Sequence, residues 1–254
     1  MTDIADASTM PPPAAATKNT LQRIAGVLFA PAETFEDIAR KPNLVGPMLV
    51  ILLVSYIGAF FIIPRMDWAA VTEAQMDAAK KQNPNMSQED IDRMTRITSA
   101  FGKVIGWVGP LLGLAMYVIL AGIMLLAFRL TGGEGNFQQA LSATFYAQMP
   151  LLISSIVTTI VVVLRGNVDP TQMATVVKSN PAFLVDMKEH AVLFSLLSSI
   201  DLFTIWTIVL LIIGFAALSK SSKAKSAAIV IALWVVFILV KLVPAMIGAA
   251  RMKA

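Results

Sequence analysis

Two ionisable residues stand inside otherwise apolar stretches of this chain, Asp201 and Lys241. A charge in hydrocarbon is costly, and such a residue is a functional candidate wherever it occurs. Asp201 lies 21 residues before Ser222, in the basic turn between the two stretches, and Lys241 lies 19 after it. At about 1.5 Å per helical residue these offsets are about 31 and about 28 Å along antiparallel neighbours. The two are therefore level and form a candidate intramembrane ion pair, each relieving the other's uncompensated charge. Read separately, Lys241 snorkels to the interface and Asp201 faces a polar crevice. As functional residues they would line a proton or ion path, although transporters draw on several midplane polar groups or on broken helices.

No other constellation suggests chemistry. His190, the sole histidine, sits between Glu189 and the start of an apolar run. One imidazole without ligand spacing around it builds no metal site, and an interfacial surface residue is the reading. Ser154-Ser155 and Ser198-Ser199 have no evident base to activate a hydroxyl. Gly132-Gly133-Glu134-Gly135 lacks a preceding strand and a following Lys-Ser/Thr, so it reads as a tight turn rather than a phosphate loop. The absence of cysteine removes disulfides, thiolate metal sites and thiol nucleophiles. No catalytic, metal-binding or cofactor-binding residue is expected, and the chain reads as a non-enzyme.

The elements that position Asp201 and Lys241 follow from composition. Apolar residues are 57% of the chain and charged residues 14%, against about 45–50% and about 25% in average soluble domains. The excess gathers into blocks long enough to cross a hydrocarbon core of about 30 Å. Spans are expected at about 44–63, 104–128, 139–164, 191–218 and 227–249. The fold class is all-α: a polytopic membrane protein with five transmembrane helices plus interfacial amphipathic helices. Residues 1–20, with Pro11-Pro12-Pro13 and no apolar h-region, read as a disordered tail, and 21–254 as one membrane domain.

Between tail and first span, Leu21, Ile24, Val27 and Leu28 repeat at helical spacing. After Pro31, Phe35 and Ile38 oppose Glu33, Glu36 and Asp37, which predicts two short helices in the interface plane. Residues 65–103 carry six charges of each sign and form a polar, still helical loop. Trp68, Val71, Met76 and Ala79 suggest one amphipathic helix before Asn83-Pro84. Ser87 and Asp90 then form a capping box opening a helix that runs on into the second span. Gln148-Met149-Pro150 marks a kink in the third. In the 165–190 loop, Asp169-Pro170 and Asn180-Pro181 read as cap-and-proline starts. Lys220, Lys223 and Lys225 lie in one short turn, and by the positive-inside rule that turn and the N-terminus are cytoplasmic, with the C-terminus outside.

Residues Arg23 to Pro42, with Pro31, Phe35 and Pro42 at their marks, resemble the start of bacterial members of the YIP (Ypt-interacting protein) domain family. So does Gly132-Gly133-Glu134-Gly135-Asn136-Phe137, followed by Tyr146 and Pro150, and so does Trp206 through Gly214 with the basic turn. The resemblance covers nearly all of the chain from Leu21. It implies five membrane helices and a cytoplasmic N-terminus. For eukaryotic members it implies binding of prenylated Rab-type small GTPases in vesicle traffic; for bacterial members it implies no chemistry.

The expected function is a non-enzymatic membrane scaffold or adaptor in membrane organisation or trafficking, in a bacterial inner membrane. Its partners are the lipid bilayer and other membrane proteins or further copies of itself, and the modest charge of +4 suggests no nucleic acid. The alternative is a small transporter or channel subunit using Asp201 and Lys241.

Overall fold

The computed structural model describes residues 18–68, 70, 87–187 and 189–253, with side chains of the last helix described to Gly248. The expected tail therefore lies almost wholly outside the described residues, as does the amphipathic helix expected after Trp68. Nine α-helices are described: α1 (Thr20–Phe29), α2 (Pro31–Arg40), α3 (Val45–Ile62), α4 (Gln88–Leu130), α5 (Phe137–Ala147), α6 (Met149–Arg165), α7 (Ala191–Leu197), α8 (Leu202–Ser219) and α9 (Lys223–Lys253). Among the described residues there is no strand, only an isolated parallel bridge between Met66 and Val168.

Five helical segments are long and apolar enough to cross a membrane: Val45–Arg65, Gln88–Leu130, Phe137–Arg165, Leu202–Ser219 and Lys223–Gly248. Their outward faces carry Leu112, Ile119 and Leu126 on α4 and Val236, Leu239 and Val243 on α9, all exposed. Apolar stripes of that extent have no place in water and meet lipid instead. The chain is an all-α, multi-pass membrane protein. α8 is the central helix, packed by α2, α5, α6 and α9.

Local sequence sets most helix ends. Ser87 and Asp90 form the expected capping box, and α4 then runs unbroken for 43 residues, about 65 Å. That is twice the hydrocarbon thickness, so the first turns of α4 project beyond the bilayer. Asn136 and Gln139 form a second capping box at the start of α5. The kink expected near Pro150 is a break at Gln148, which ends α5 and precedes α6. The two Asx-Pro starts in the 165–190 loop hold as side-chain caps, each followed by a short 3₁₀ turn.

Two expectations change. The apolar stripe of α1 and α2 was expected to lie on lipid, yet Val27, Phe35 and Ile38 are at most 1% exposed. α5 and α8 cover it, because α8 offers Gly214 where a Cβ would sit 2.9 Å from the Phe35 ring. Only Leu21 and Phe29, at the edge of the stripe, stay exposed for lipid. The fourth span, expected over 191–218, is not continuous. It divides into α7 and α8 at Ser198–Asp201, where the serine and aspartate side chains compete for backbone groups a helix would use.

Candidate functional site

The helices order the polar groups into two clusters at opposite ends of the bundle. At one end lie α1, α2, the glycine-rich linker 131–136 and the basic turn. Here Arg23, 2% exposed, donates from Nε to the Asp37 carboxylate at 2.8 Å. The α5 helix, buried on every side from Ala140 to Ala147, holds the last turn of α2 and the α2–α3 connector through hydrogen bonds. Gln139 Nε2 donates to the Ala39 carbonyl at 2.7 Å, and Ser142 Oγ donates to the Asn43 carbonyl at 3.0 Å.

The motif positions gather at this end. Pro31 opens α2, where a missing N–H costs nothing, and Pro42 follows it in the connector. Gly132 N–H donates to Arg129 and Gly133 N–H to Phe128, a paired closure of the α4 C-terminus that needs the left-handed φ of +80° at Gly132. Glu134 N–H then donates to the Ser219 carbonyl, and its carboxylate meets Lys220 at 2.7 Å. Lys225 Nζ donates to the Thr131 carbonyl, and the Phe128 and Phe215 rings stack 5.2 Å apart. Phe137 is the first residue of α5, and Pro150 lies buried in the first turn of α6.

At the other end the break between α7 and α8 builds the second cluster. Asp201 caps α8: its Oδ1 accepts from the Phe203 N–H at 2.9 Å and the Thr204 N–H at 3.2 Å. Its Oδ2 accepts from Ser179 Oγ. Lys241 Nζ donates to Ser198 Oγ at 3.0 Å and to Ser199 Oγ at 2.9 Å. Those two hydroxyls donate in turn to the Ser195 carbonyl, at 3.0 and 2.9 Å, so the lysine neutralises the C-terminal end of α7 through them.

Asp201 and Lys241 are thus brought to one site, but among the described residues neither is within salt-bridge distance of the other. Both line a cavity of about 250 Å³, with Ser154 and Thr158 of α6, Ser179 and Asn180 of the loop, and Thr204 of α8. Ser198-Ser199, in which the sequence shows no evident base, has Lys241 within hydrogen-bond distance. The serine protons point to Ser195, however, so the arrangement is an ammonium donating to hydroxyls rather than a base drawing a proton from one. No sequence signal marks Ser179 or Thr158, and Ser154 stands out there only as a candidate nucleophile; all three reach the site through tertiary packing. His190 lies at the start of α7 and does not line the cavity.

The sequence over residues 25–243 matches the family model of the Yip1 domain. The chain belongs to the Yip1 domain family. It is also 27% identical over 219 residues to a Bacillus subtilis (strain 168) protein described as membrane protein YknW, across 84% of this chain and 86% of that one. No solved structure gives a significant match. The match takes in Asp201, Lys241 and all of the first cluster except the start of α1, where Arg23 lies.

Proposed function

We propose that this Yip1-family chain is a non-enzymatic membrane scaffold or adaptor, acting through helix contacts in membrane organisation or trafficking. The observation that carries the reading is the seating of α2. Its apolar face is locked into the bundle by Phe35 and Ile38 while Glu33, Glu36 and Arg40 stay exposed. A rigid charged helix at the membrane surface is a docking element for another membrane protein or a second copy. The three lysines around the basic turn favour a cytoplasmic location for this surface, in a bacterial inner membrane, with the C-terminus outside.

The test is copurification in mild detergent of wild type and of Glu33→Lys/Glu36→Lys. A membrane protein recovered with wild type and lost from the folded variant supports the reading; equal recovery overturns it. A transport path is the second reading, favoured by the polar cavity at Asp201 and Lys241. Proteoliposome flux abolished by Asp201→Asn would replace the scaffold with it.

A further inference from the structure

The cavity at the α7–α8 break has unused bonding capacity of both signs. Lys241 Nζ has three N–H groups and gives two of them to Ser198 and Ser199. The Asp201 carboxylate has about four acceptor sites and fills three, two on Oδ1 and one on Oδ2. The cavity wall also includes the hydroxyl-bearing Ser154, Thr158 and Thr204, beside the apolar Met173, Ala174 and Val177. The space, about 250 Å³, equals that of about eight liquid waters at about 30 Å³ each. It lies about 27 Å along α8 from Ser219, at the level where hydrocarbon gives way to headgroups.

We propose that this cavity binds a small zwitterion, with its anionic oxygen on Lys241 and the hydroxyls and its ammonium group on Asp201. A simple anion would meet the carboxylate, and a simple cation would meet the ammonium, at the cost that like charges impose in a partly desolvated site. A ligand carrying both charges satisfies both partners. The chemistry is shared by a phosphoethanolamine lipid headgroup and by a free amino acid. The proposal concerns binding alone and rests on neither functional reading above.

The experiment uses the full chain in nanodiscs. In the first arm the discs are phosphatidylglycerol only, and unfolding temperature is followed as serine or O-phosphoethanolamine is added. In the second arm no free ligand is present, and phosphatidylethanolamine replaces part of the phosphatidylglycerol. A saturable upward shift in the first arm identifies a free ligand; a shift only in the second identifies a headgroup. Either should fall at least tenfold in apparent affinity in Lys241→Gln and Asp201→Asn. Ethylamine and acetate given singly should bind at least tenfold more weakly than the zwitterion. Thr158→Val, which lines the cavity without capping a helix, keeps the test open where a charge variant fails to fold. No shift in either arm, or equal shifts in wild type and Thr158→Val together with either charge variant, overturns the proposal.

Discussion

The two ends of the bundle use polar residues in opposite ways. At the end holding α1, α2 and the glycine-rich linker, polar groups are packed against one another and against backbone. Arg23 meets Asp37, Ser142 and Gln139 hold the end of α2 and the α2–α3 connector, and Gly132 and Gly133 close α4. At the end holding Asp201 and Lys241 the same residue types surround a cavity instead. The first end has few rotamers left to choose where it is buried, because Arg23 and Asp37 are fixed on each other in a closely packed wall. The second has charges satisfied by hydroxyls and by two helix N–H groups, with capacity left over. Substitution should therefore cost much more stability at the first end than at the second.

The largest effect is expected from Phe35→Ala. Phe35 is 1% exposed and lies against Gly214, and truncating a buried phenylalanine costs about 3–5 kcal/mol. Asp37→Asn comes next. It strands the Arg23 guanidinium, whose side chain is 3% exposed, and breaking a buried pair on one side costs about 3 kcal/mol or more. Denaturant unfolding in detergent checks both. A loss below about 1 kcal/mol in either would remove the contrast between the ends.

At the cavity the expected losses are smaller. Asp201→Ala deletes the acceptor of two α8 N–H groups, and losing such a cap costs about 0.5–2 kcal/mol. Lys241→Met leaves Ser198 and Ser199 still bonded to Ser195 and should cost less than Asp201→Ala. A double-mutant cycle sharpens the point. Because each charge has its own hydroxyl partners, the two losses should add within about 0.5 kcal/mol. Coupling of about 2 kcal/mol or more would restore the direct ion pair that residue counting suggested.

That counting exposes what the sequence carried. Apolar blocks of spanning length, the capping box at Ser87 and the punctuation at Gln148-Met149-Pro150 are local signals, and each has its counterpart in a helix, a helix start or a break. The level of Asp201 with Lys241 was also legible, since it needs only helical rise. The break between α7 and α8 was not, because a hydropathy window averages Ser198, Ser199 and Asp201 into the leucines around them. Read as a cap, Asp201 followed by Thr204 could have flagged it. Nor could helical periodicity foresee that Arg23 would be buried. Its partner Asp37 is 14 residues away on another helix, and the bond exists only because α1 folds back on α2. The cavity is further still from local sequence, being assembled from α6, the 173–180 loop, α8 and α9.

Topology is tested without disturbing either cluster. With no native cysteine in the chain, a single one at exposed Ala224, beside the basic turn, should resist a membrane-impermeant maleimide in intact cells. One at exposed Asn167, at the cavity end, should be labelled. The reverse pattern would put the cavity on the cytoplasmic side and invert the proposed orientation.

The smallest effect concerns the projecting start of α4, which belongs to neither cluster. The Ser87 hydroxyl donates to Asp90 Oδ2 at 2.7 Å, and the Ser87 N–H donates to the same oxygen at 3.2 Å. These bonds favour the ionised carboxylate and hold Asp90 below its ordinary 3.8. A depressed folded-state pKa gives stabilisation that is complete above the unfolded value and fades as pH falls through the folded one. The first turns of α4 should therefore fray only below about pH 4, where carboxylates in unfolded chains protonate. Amide exchange over residues 88–96 measures this. Ser87→Ala should raise exchange there at neutral pH by the loss of a cap worth about 1 kcal/mol and flatten its pH dependence, while leaving global unfolding unchanged. A pH profile identical in wild type and Ser87→Ala would mean that the capping box does not hold the helix start.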